Sequence, residues 1–164
     1  MRAHFTLQDS PDTPSDLPAG LEIGSAGWRD LPAIAVVQRR AFPPRFAYSL
    51  STLAILRALP WVHLLVARRD GAIVGSVIGD RVPEGNRIVN LAGDPAAQRQ
   101  GIGAALLHAA ERALPDGDMT LMVQTGNASA RSLYRRVGYE EVSVQPHYYG
   151  PGRPGIKMRK ARGA

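Results

Sequence analysis

The middle of the chain contains three strand-like segments separated only by short turns, and this arrangement constrains the fold more than any other feature. Trp61–Ala67 and Ala72–Gly79 are apolar segments that flank Asp70-Gly71, a dipeptide typical of tight hairpin turns. A Pro-Glu-Gly-Asn loop then leads into a third strand, Arg87–Ala92. The sequence therefore predicts a hairpin that is followed closely by a further strand.

Helix-like and strand-like segments surround these three strands. Strands are predicted at 21–24, 119–124, 139–144 and 156–159, and helices at about 30–41, 49–59, 101–114 and 128–137. Asp30 and either Ser49 or Ser51 are expected to cap the first two helices. The order β-α-α-β-β-β-α-β-α-β-β predicts an α/β chain with a mixed sheet and helices on its faces. A doubly wound fold would alternate from the beginning, and this chain does not.

Length and composition fit a single globular domain. The chain has 164 residues, 45% of them apolar, which suffices for one core. We expect a disordered leader at 1–19, rich in Pro, Asp and Ser, a domain at 20–160 and a tail at 161–164. No apolar run approaches the roughly 18 residues of a membrane span, and no secretory signal is recognisable. A cytoplasmic location without a membrane partner is therefore expected.

Net charge and residue composition limit the ligands and the catalytic groups that can be expected. The net charge of +6 fits either a soluble surface or a field that favours an anionic ligand. Nucleic acid is not predicted, because the basic residues are scattered apart from a patch at Lys157–Arg162. The chain has no cysteine and four histidines, which excludes thiolate nucleophiles and predicts no metal site.

A glycine-rich loop precedes the third predicted helix, and it has the sequence QRQGIGA at 98–104. The first turn of a helix has unpaired amide N–H groups and a partial positive charge. Glycine lets an anion approach those amides without meeting a Cβ atom. The loop therefore predicts a pyrophosphate site, although the glycines could instead serve only to let the helix pack on a strand.

Three phosphate-binding motifs can be compared with this loop. A nucleotide P-loop needs Gly-Lys-Ser/Thr, whereas Gly103 is followed by Ala-Ala-Leu. The dinucleotide fingerprint needs a small residue at the position of Leu106. The pattern (Gln/Arg)-x-x-Gly-x-Gly/Ala, which binds the pyrophosphate of coenzyme A, matches at every position.

A second motif follows 20 residues later. Gln124-Thr-Gly-Asn-Ala-Ser-Ala-Arg-Ser-Leu-Tyr134 and the turn Gly138-Tyr139 resemble the second signature of the GCN5-related N-acetyltransferase (GNAT) family. The resemblance covers residues 20–160. It implies a mostly antiparallel sheet of six to seven strands with one splayed parallel pair and about four helices. It also implies acetyl transfer from acetyl-coenzyme A to a primary amine, by a monomer or a homodimer.

The resemblance further implies where acetyl-coenzyme A binds. It would lie between the strands Arg87–Ala92 and Thr120–Gln124, where backbone amides near Leu91 and Ala92 contact the pantetheine and the thioester oxygen. Asn127 would contact the coenzyme arm, and the phenol of Tyr134 would protonate the departing thiolate. The pyrophosphate would be held by Gln98, Arg99, Gln100, Gly101, Ile102, Gly103 and Ala104.

Aromatic segments are expected to form the acceptor site. The early Phe-Pro segment and the late Tyr-Tyr pair are similar to the branch that acetylates ribosomal-protein and other protein N-termini. The residues expected to contact the acceptor are Phe42, Pro43, Tyr48, Val89, Tyr148 and Tyr149. A protein or peptide amine, either an N-terminal α-amino group or a lysine, is therefore the expected acceptor. A small amine such as a polyamine, or an acyl-coenzyme A-binding module with little turnover, remains the alternative.

The general base is missing from its usual place. Members of that branch carry Glu or His two residues before the position of Gln124, but this chain has Met122 there. The remaining candidates are Glu140, Glu141, His147 or a water molecule. An α-amino group, with a pKa near 8, needs less help than a lysine does, and this mildly favours N-termini.

Overall fold

The computed structural model describes residues 17–163, so the first 16 residues of the expected leader lie outside the described part. Two short 3-10 turns accompany the main elements, at Trp28–Asp30 and Pro95–Ala97. The helices are α1 (Leu31–Ala41), α2 (Leu50–Ala58), α3 (Ile102–Ala113) and α4 (Ala128–Arg136). The strands are β1 (Leu21–Ser25), β2 (Val62–Arg69), β3 (Ala72–Val82), β4 (Gly85–Gly93), β5 (Met119–Gln124), β6 (Glu140–Gln145) and β7 (Gly155–Lys160). The predicted order of elements is confirmed.

One seven-stranded sheet has the order β1-β2-β3-β4-β5-β7-β6. Every neighbouring pair is antiparallel except β4 and β5, which are parallel. The parallel pair arises because α3 carries the chain across one face of the sheet before β5 begins, as a parallel connection requires. The mixed, mostly antiparallel sheet and its four helices confirm the expected fold.

Two apolar cores lie on opposite faces of the sheet. On one face α3 packs over strands β1 to β4, and residues such as Leu106, Val77 and Leu121 form the larger core. On the other face α1 and α2 cover β2 and β3 with residues such as Ile34 and Leu53. Among the described residues, no helix is both long and apolar enough to cross a membrane.

The helix caps agree only in part with those predicted from the sequence. Ser49 caps α2, since its hydroxyl accepts a hydrogen bond from Thr52 N–H at 3.2 Å. Asp30 occupies the N-cap position of α1, but its side chain makes no capping bond. Its carboxylate instead accepts from Gly27 N–H at 2.7 Å and pairs with Arg68 at 2.5 Å. The carboxylate therefore ties the start of α1 to β2, so the predicted capping bond is wrong.

A polar cluster ties α3 to the end of the chain. Glu111 is buried on α3 and accepts hydrogen bonds from the Tyr139 hydroxyl at 3.1 Å and from Lys160 Nζ at 2.7 Å. Burial, reinforced by the neighbouring Glu111 carboxylate, raises the pKa of Tyr139. Arg162 bonds the backbone carbonyls of Glu111 and Pro115. The chain is therefore fixed at least as far as Arg162.

Candidate functional site

Strands β4 and β5 diverge and leave a gap between them. They pair at only three positions, the last of which joins Ile88 to Leu121. Val89 is the extra residue of a β-bulge, because Gly79 pairs with Ile88 and Ile78 with Asn90. A bulge bends and twists its strand, which fits the departure of β4 from β5 at this point. Beyond it, residues 90–93 of β4 pair with β3 alone and residues 122–124 of β5 with β7 alone.

Two adjoining clefts open around this gap. The first, here called the strand cleft, has a volume of about 420 Å³, within the range of small-molecule sites. It is lined by Ala41, Phe42, Pro43, Arg45, Phe46, Tyr48, Ile88, Val89, Asn90, Leu91, Leu121, Met122, Val123, Gln124, Asn127, Ala130, Tyr134 and Tyr149. The predicted residues Phe42, Pro43, Tyr48, Val89 and Tyr149 thus lie together at one site.

The second cleft, here called the helix cleft, lies in front of α3 and has a volume of about 540 Å³. It shares Phe42, Leu91, Asn127 and Tyr134 with the strand cleft, so the two form one continuous groove. The predicted residues that line it are Leu91, Ala92, Gln98, Arg99, Gly101, Ile102, Gly103, Ala104, Asn127 and Tyr134. Gln100 is the exception: it is exposed and is not part of this lining.

The start of α3 presents free amide groups to the helix cleft. The hydrogen-bond ladder begins with Ala105 N–H donating to Gly101 C=O at 3.1 Å, which leaves the amides of residues 102–104 without helical partners. Gly101 forms the N-cap with a φ of 76°, and Arg99 also has a positive φ of 63°. This backbone fits a pyrophosphate group, because unpaired amides and the helix dipole both favour an anion.

Gly103 has a packing role that the sequence analysis offered only as an alternative. A Cβ atom at this position would lie 2.8 Å from Leu133 Cδ2, which is closer than van der Waals contact allows. Gly103 therefore lets α3 approach α4, a neighbouring helix and not the strand that was expected. Gly103 also lines the helix cleft, so a glycine here serves helix packing whether or not an anion approaches it.

A substitution at Gly101 tests the predicted pyrophosphate site more directly than a substitution at Gly103 does. We expect Gly101→Ala to cost roughly 1 kcal/mol of folding free energy, because alanine is strained at positive φ, and also to weaken coenzyme A binding by disturbing the start of α3. Gly71→Ala is the control for backbone strain, since Gly71 has a φ of 80° and lines neither cleft, although its would-be Cβ has no atom within 4 Å and that of Gly101 would lie 3.3 Å from Pro18 Cγ. Calorimetric titration with coenzyme A should show weaker binding only for Gly101→Ala. Equal affinities for both variants would contradict the placement.

Tyr134 lies where the two clefts meet. It is 8% exposed, and its ring packs edge-on against Tyr139 with the centroids 6.0 Å apart. Burial raises its pKa to about 12, so the phenol keeps its proton at neutral pH. The start of α4 is fixed by Asn127, whose Oδ1 accepts from Ala130 N–H at 3.1 Å. Tyr134 is therefore a positioned, protonated hydroxyl group at the junction.

Aromatic side chains from two loops form the walls of the strand cleft. Phe46, between α1 and α2, meets Tyr149, between β6 and β7, with ring centroids 5.9 Å apart. Tyr148 contacts Tyr149 at 4.8 Å but is 49% exposed and does not line the cleft. A Cβ atom on Gly155 would meet Met122, Tyr148 and Tyr149 at 2.9 to 3.1 Å. Glycine at 155 thus makes room for the tyrosine pair beside β5.

Sequence reasoning missed a buried amide pair that supports the same cleft. Gln38 is completely buried on α1, and its Nε2 donates to Asn90 Oδ1 at 2.7 Å. Its Oε1 accepts from Tyr48 N–H at 3.3 Å. Gln38 therefore ties the loop before α2 to the cleft-lining strand β4. The available signal was a polar residue on the apolar stripe formed by Leu31, Ile34 and Ala35.

The proposed general bases lie outside both clefts. Glu141 pairs with Arg131 at 2.9 Å and with Arg135 at 2.5 Å, and the hydrogen bond from Arg131 lowers its pKa. Glu140 is exposed, and His147 Nδ1 accepts a hydrogen bond from Gly152 N–H at 3.2 Å within its own loop. Met122 lines the strand cleft itself. Within residues 17–163, no Asp, Glu or His lines this cleft.

Comparisons with known proteins show the family to which the chain belongs. Residues 46–162 match the domain described as the acetyltransferase (GNAT) domain. The chain is 32% identical over 130 residues to the ribosomal protein bS18 alanine N-acetyltransferase of Escherichia coli, an alignment covering 77% of this chain and 86% of that protein. The chain belongs to the GNAT family and is an N-acetyltransferase that uses acetyl-coenzyme A as its acetyl donor.

Solved structures agree with this assignment. The crystal structure of the S18-alanine N-acetyltransferase from Escherichia coli superposes with a TM-score of 0.75 at 27% identity, covering 88% of this chain and 95% of that one. The PaiA N-acetyltransferase of Thermoplasma acidophilum in complex with coenzyme A superposes with a TM-score of 0.73 at 18% identity. That alignment covers 86% of this chain and 98% of the other, and it supports the fold.

Proposed function

We propose that the protein acetylates the α-amino group of a peptide or protein N-terminus by direct transfer, with Tyr134 as the general acid. The continuous groove carries this proposal, because it joins the free amides at the start of α3 to an aromatic cleft that no carboxylate of the described residues lines. The bS18 alanine N-acetyltransferase, which acts on an alanine of a ribosomal protein, gives independent support.

The coenzyme fits the helix cleft and the gap behind it. The amides of Ile102, Gly103 and Ala104, with Gln98 and Arg99 beside them, would hold its pyrophosphate. The pantetheine arm would extend along Leu91 and Ala92, where the edge of β4 that faces β5 is unpaired, and past Asn127. When bound, acetyl-coenzyme A supplies the thioester carbonyl that the amine attacks and the thiolate that leaves.

Tyr134 suits the role of proton donor. A general acid must carry its proton at working pH and lie within reach of the leaving group. The raised pKa keeps the proton on the phenol at neutral pH, and the position of Tyr134 at the junction of both clefts supports its placement beside the leaving thiolate. The unpaired backbone edge of β4 next to Val89 is the corresponding place to stabilise the charge that develops on oxygen.

The lining of the strand cleft favours an uncharged amine. Polyamines carry several ammonium groups, and a site for them needs carboxylates to balance the charge. The described lining contains no Asp or Glu, and its charged member is the cation Arg45. An α-amino group has a pKa of about 7.7–8.0, whereas a lysine side chain has one of about 10.4. Near neutral pH the α-amine therefore arrives unprotonated far more often, which reduces the need for a side-chain base.

A panel of amines tests the proposal. The protein is incubated with acetyl-coenzyme A and one of three acceptors, and free thiol is measured. The acceptors are a peptide with a free N-terminal alanine, the same peptide with a blocked terminus and an internal lysine, and spermidine. We expect thiol release with the free-terminus peptide only. Release with spermidine or with the blocked peptide, and not with the free terminus, would overturn the acceptor assignment.

The pH dependence should follow the acceptor and not the enzyme. Because burial raises the pKa of Tyr134 to about 12, the acid form is complete at neutral pH and is lost only as the pH rises toward 12. We therefore expect kcat/KM to rise through the pKa of the peptide amine, near 8, and then to remain level to about pH 10. A profile measured with peptides of different amine pKa should shift with the peptide. A fixed descending limb near pH 8 would contradict this account.

A further inference from the structure

Arg45 stands out in the chemistry of the strand cleft. The described residues lining the cleft are apolar, aromatic or amide-bearing apart from this one guanidinium. It lies over the ring of Phe46, 4.8 Å from the centroid. Phe46 in turn contacts Tyr149 across the cleft. The positive charge therefore sits on the aromatic wall at the mouth of the site.

The charge of Arg45 is not balanced by the described part of the protein, in which it makes no ion pair. Two carboxylates on the strands and loops around the clefts already have partners. Asp80 receives two hydrogen bonds from Arg87, at 3.0 and 2.6 Å, and Asp94 pairs with Arg40 at 2.9 Å. Arg45 is consequently available to pair with an external anion.

Arg45 lies apart from the proposed pyrophosphate site. It lines the strand cleft but not the helix cleft, which contains the start of α3. The neighbours Pro43, Phe46 and Tyr48 line the strand cleft with it and are also absent from the helix cleft. An anion bound by Arg45 would therefore belong to the acceptor and not to the pyrophosphate.

We infer that Arg45 selects acceptor peptides that carry an Asp or Glu side chain among the residues directly following the reacting terminus. This inference rests on the proposed function, since it assumes a peptide acceptor. An arginine can pair with a carboxylate through two parallel hydrogen bonds. Because Arg45 is exposed, the preference should be modest, roughly three- to tenfold in kcat/KM.

A charge-reversal experiment tests the inference. Peptides that begin with alanine and differ only in Asp, Asn or Lys at position 2, 3 or 4 are compared by thiol release. The enzymes are the wild type, Arg45→Gln and Arg45→Glu, with Arg112→Glu as the matched control. Arg112 is exposed on α3, makes no ion pair with a described carboxylate and lines neither cleft. Differences in intrinsic peptide reactivity cancel when variants are compared as a cycle.

The wild type and Arg112→Glu should prefer Asp over Asn at one of these positions. Arg45→Gln should lose that preference, and Arg45→Glu should prefer Lys. Equal ratios in all four proteins, with peptides still acetylated, would overturn this inference and leave the proposed function standing. Loss of coenzyme A affinity in Arg45→Glu without a change in peptide preference would assign Arg45 to the coenzyme instead. If the wild type acetylates spermidine but no peptide, both proposals fail.

Discussion

Replacing Tyr134 with phenylalanine is expected to lower kcat by roughly 10²-fold while coenzyme A affinity changes little. Positioned general acids contribute on the order of 10²–10⁴-fold, and the lower end applies because a thiolate is a good leaving group. The ring itself should keep its place, since it packs against Tyr139 without using the hydroxyl. Single-turnover kinetics with the alanyl peptide, together with calorimetric titration of coenzyme A, would measure the two quantities separately.

Tyr139→Phe provides a matched control for this substitution. The same atom is removed from the neighbouring ring, but that hydroxyl bonds Glu111 in the core. We expect Tyr139→Phe to lower the free energy of unfolding by about 1 kcal/mol and to leave kcat close to that of the wild type. If Tyr134→Phe turned over as fast as Tyr139→Phe, solvent or another group would be the proton donor.

The largest effect on stability is expected for Glu111→Ala. This change leaves Lys160, whose side chain is 21% exposed, and the Tyr139 hydroxyl without their acceptor. Removing one partner from a buried ion pair costs about 3–5 kcal/mol. Partial exposure of the lysine favours the lower value, about 3 kcal/mol, which is a large share of a typical domain stability of roughly 5–15 kcal/mol. Urea denaturation followed by far-UV circular dichroism would measure it.

A double substitution separates the lost interaction from general damage to the core. Lys160→Met removes the cation that Glu111 pairs with while keeping an apolar chain of similar length. The double variant Glu111→Ala/Lys160→Met should be less destabilised than the sum of the two single variants, because no unpaired charge remains. Strict additivity would show that the ion pair contributes nothing, and a changed denaturant slope would point to an altered unfolded state.

The sequence was informative wherever a local signal decides the structure. Asp70-Gly71 forms the β2–β3 turn with positive φ at both residues, and the glycine loop lies at the start of α3 as predicted. These features depend on backbone conformations that few residues adopt, so the residue type alone indicates them. The family resemblance then placed the parallel pair, which no local pattern specifies.

Features that depend on contacts between distant segments could not be predicted from local sequence signals. The bulge at Val89 depends on the register between β3 and β4, and the short contact of Gly103 involves Leu133 on another helix. Gln38 was recognisable only as a polar residue on an apolar stripe, and its partner Asn90 lies 52 residues away. Asp30 also failed as a capping residue because Gly27 and Arg68 take up its carboxylate.

A crystal structure with a conjugate that joins coenzyme A to the α-nitrogen of an alanyl peptide tests the central claim most directly. The account predicts the diphosphate within hydrogen-bond distance of the amides of residues 102–104. It also predicts the sulfur near the Tyr134 hydroxyl and the peptide between Tyr48 and Tyr149. A diphosphate bound away from the start of α3, or a peptide lying outside the strand cleft, would contradict it.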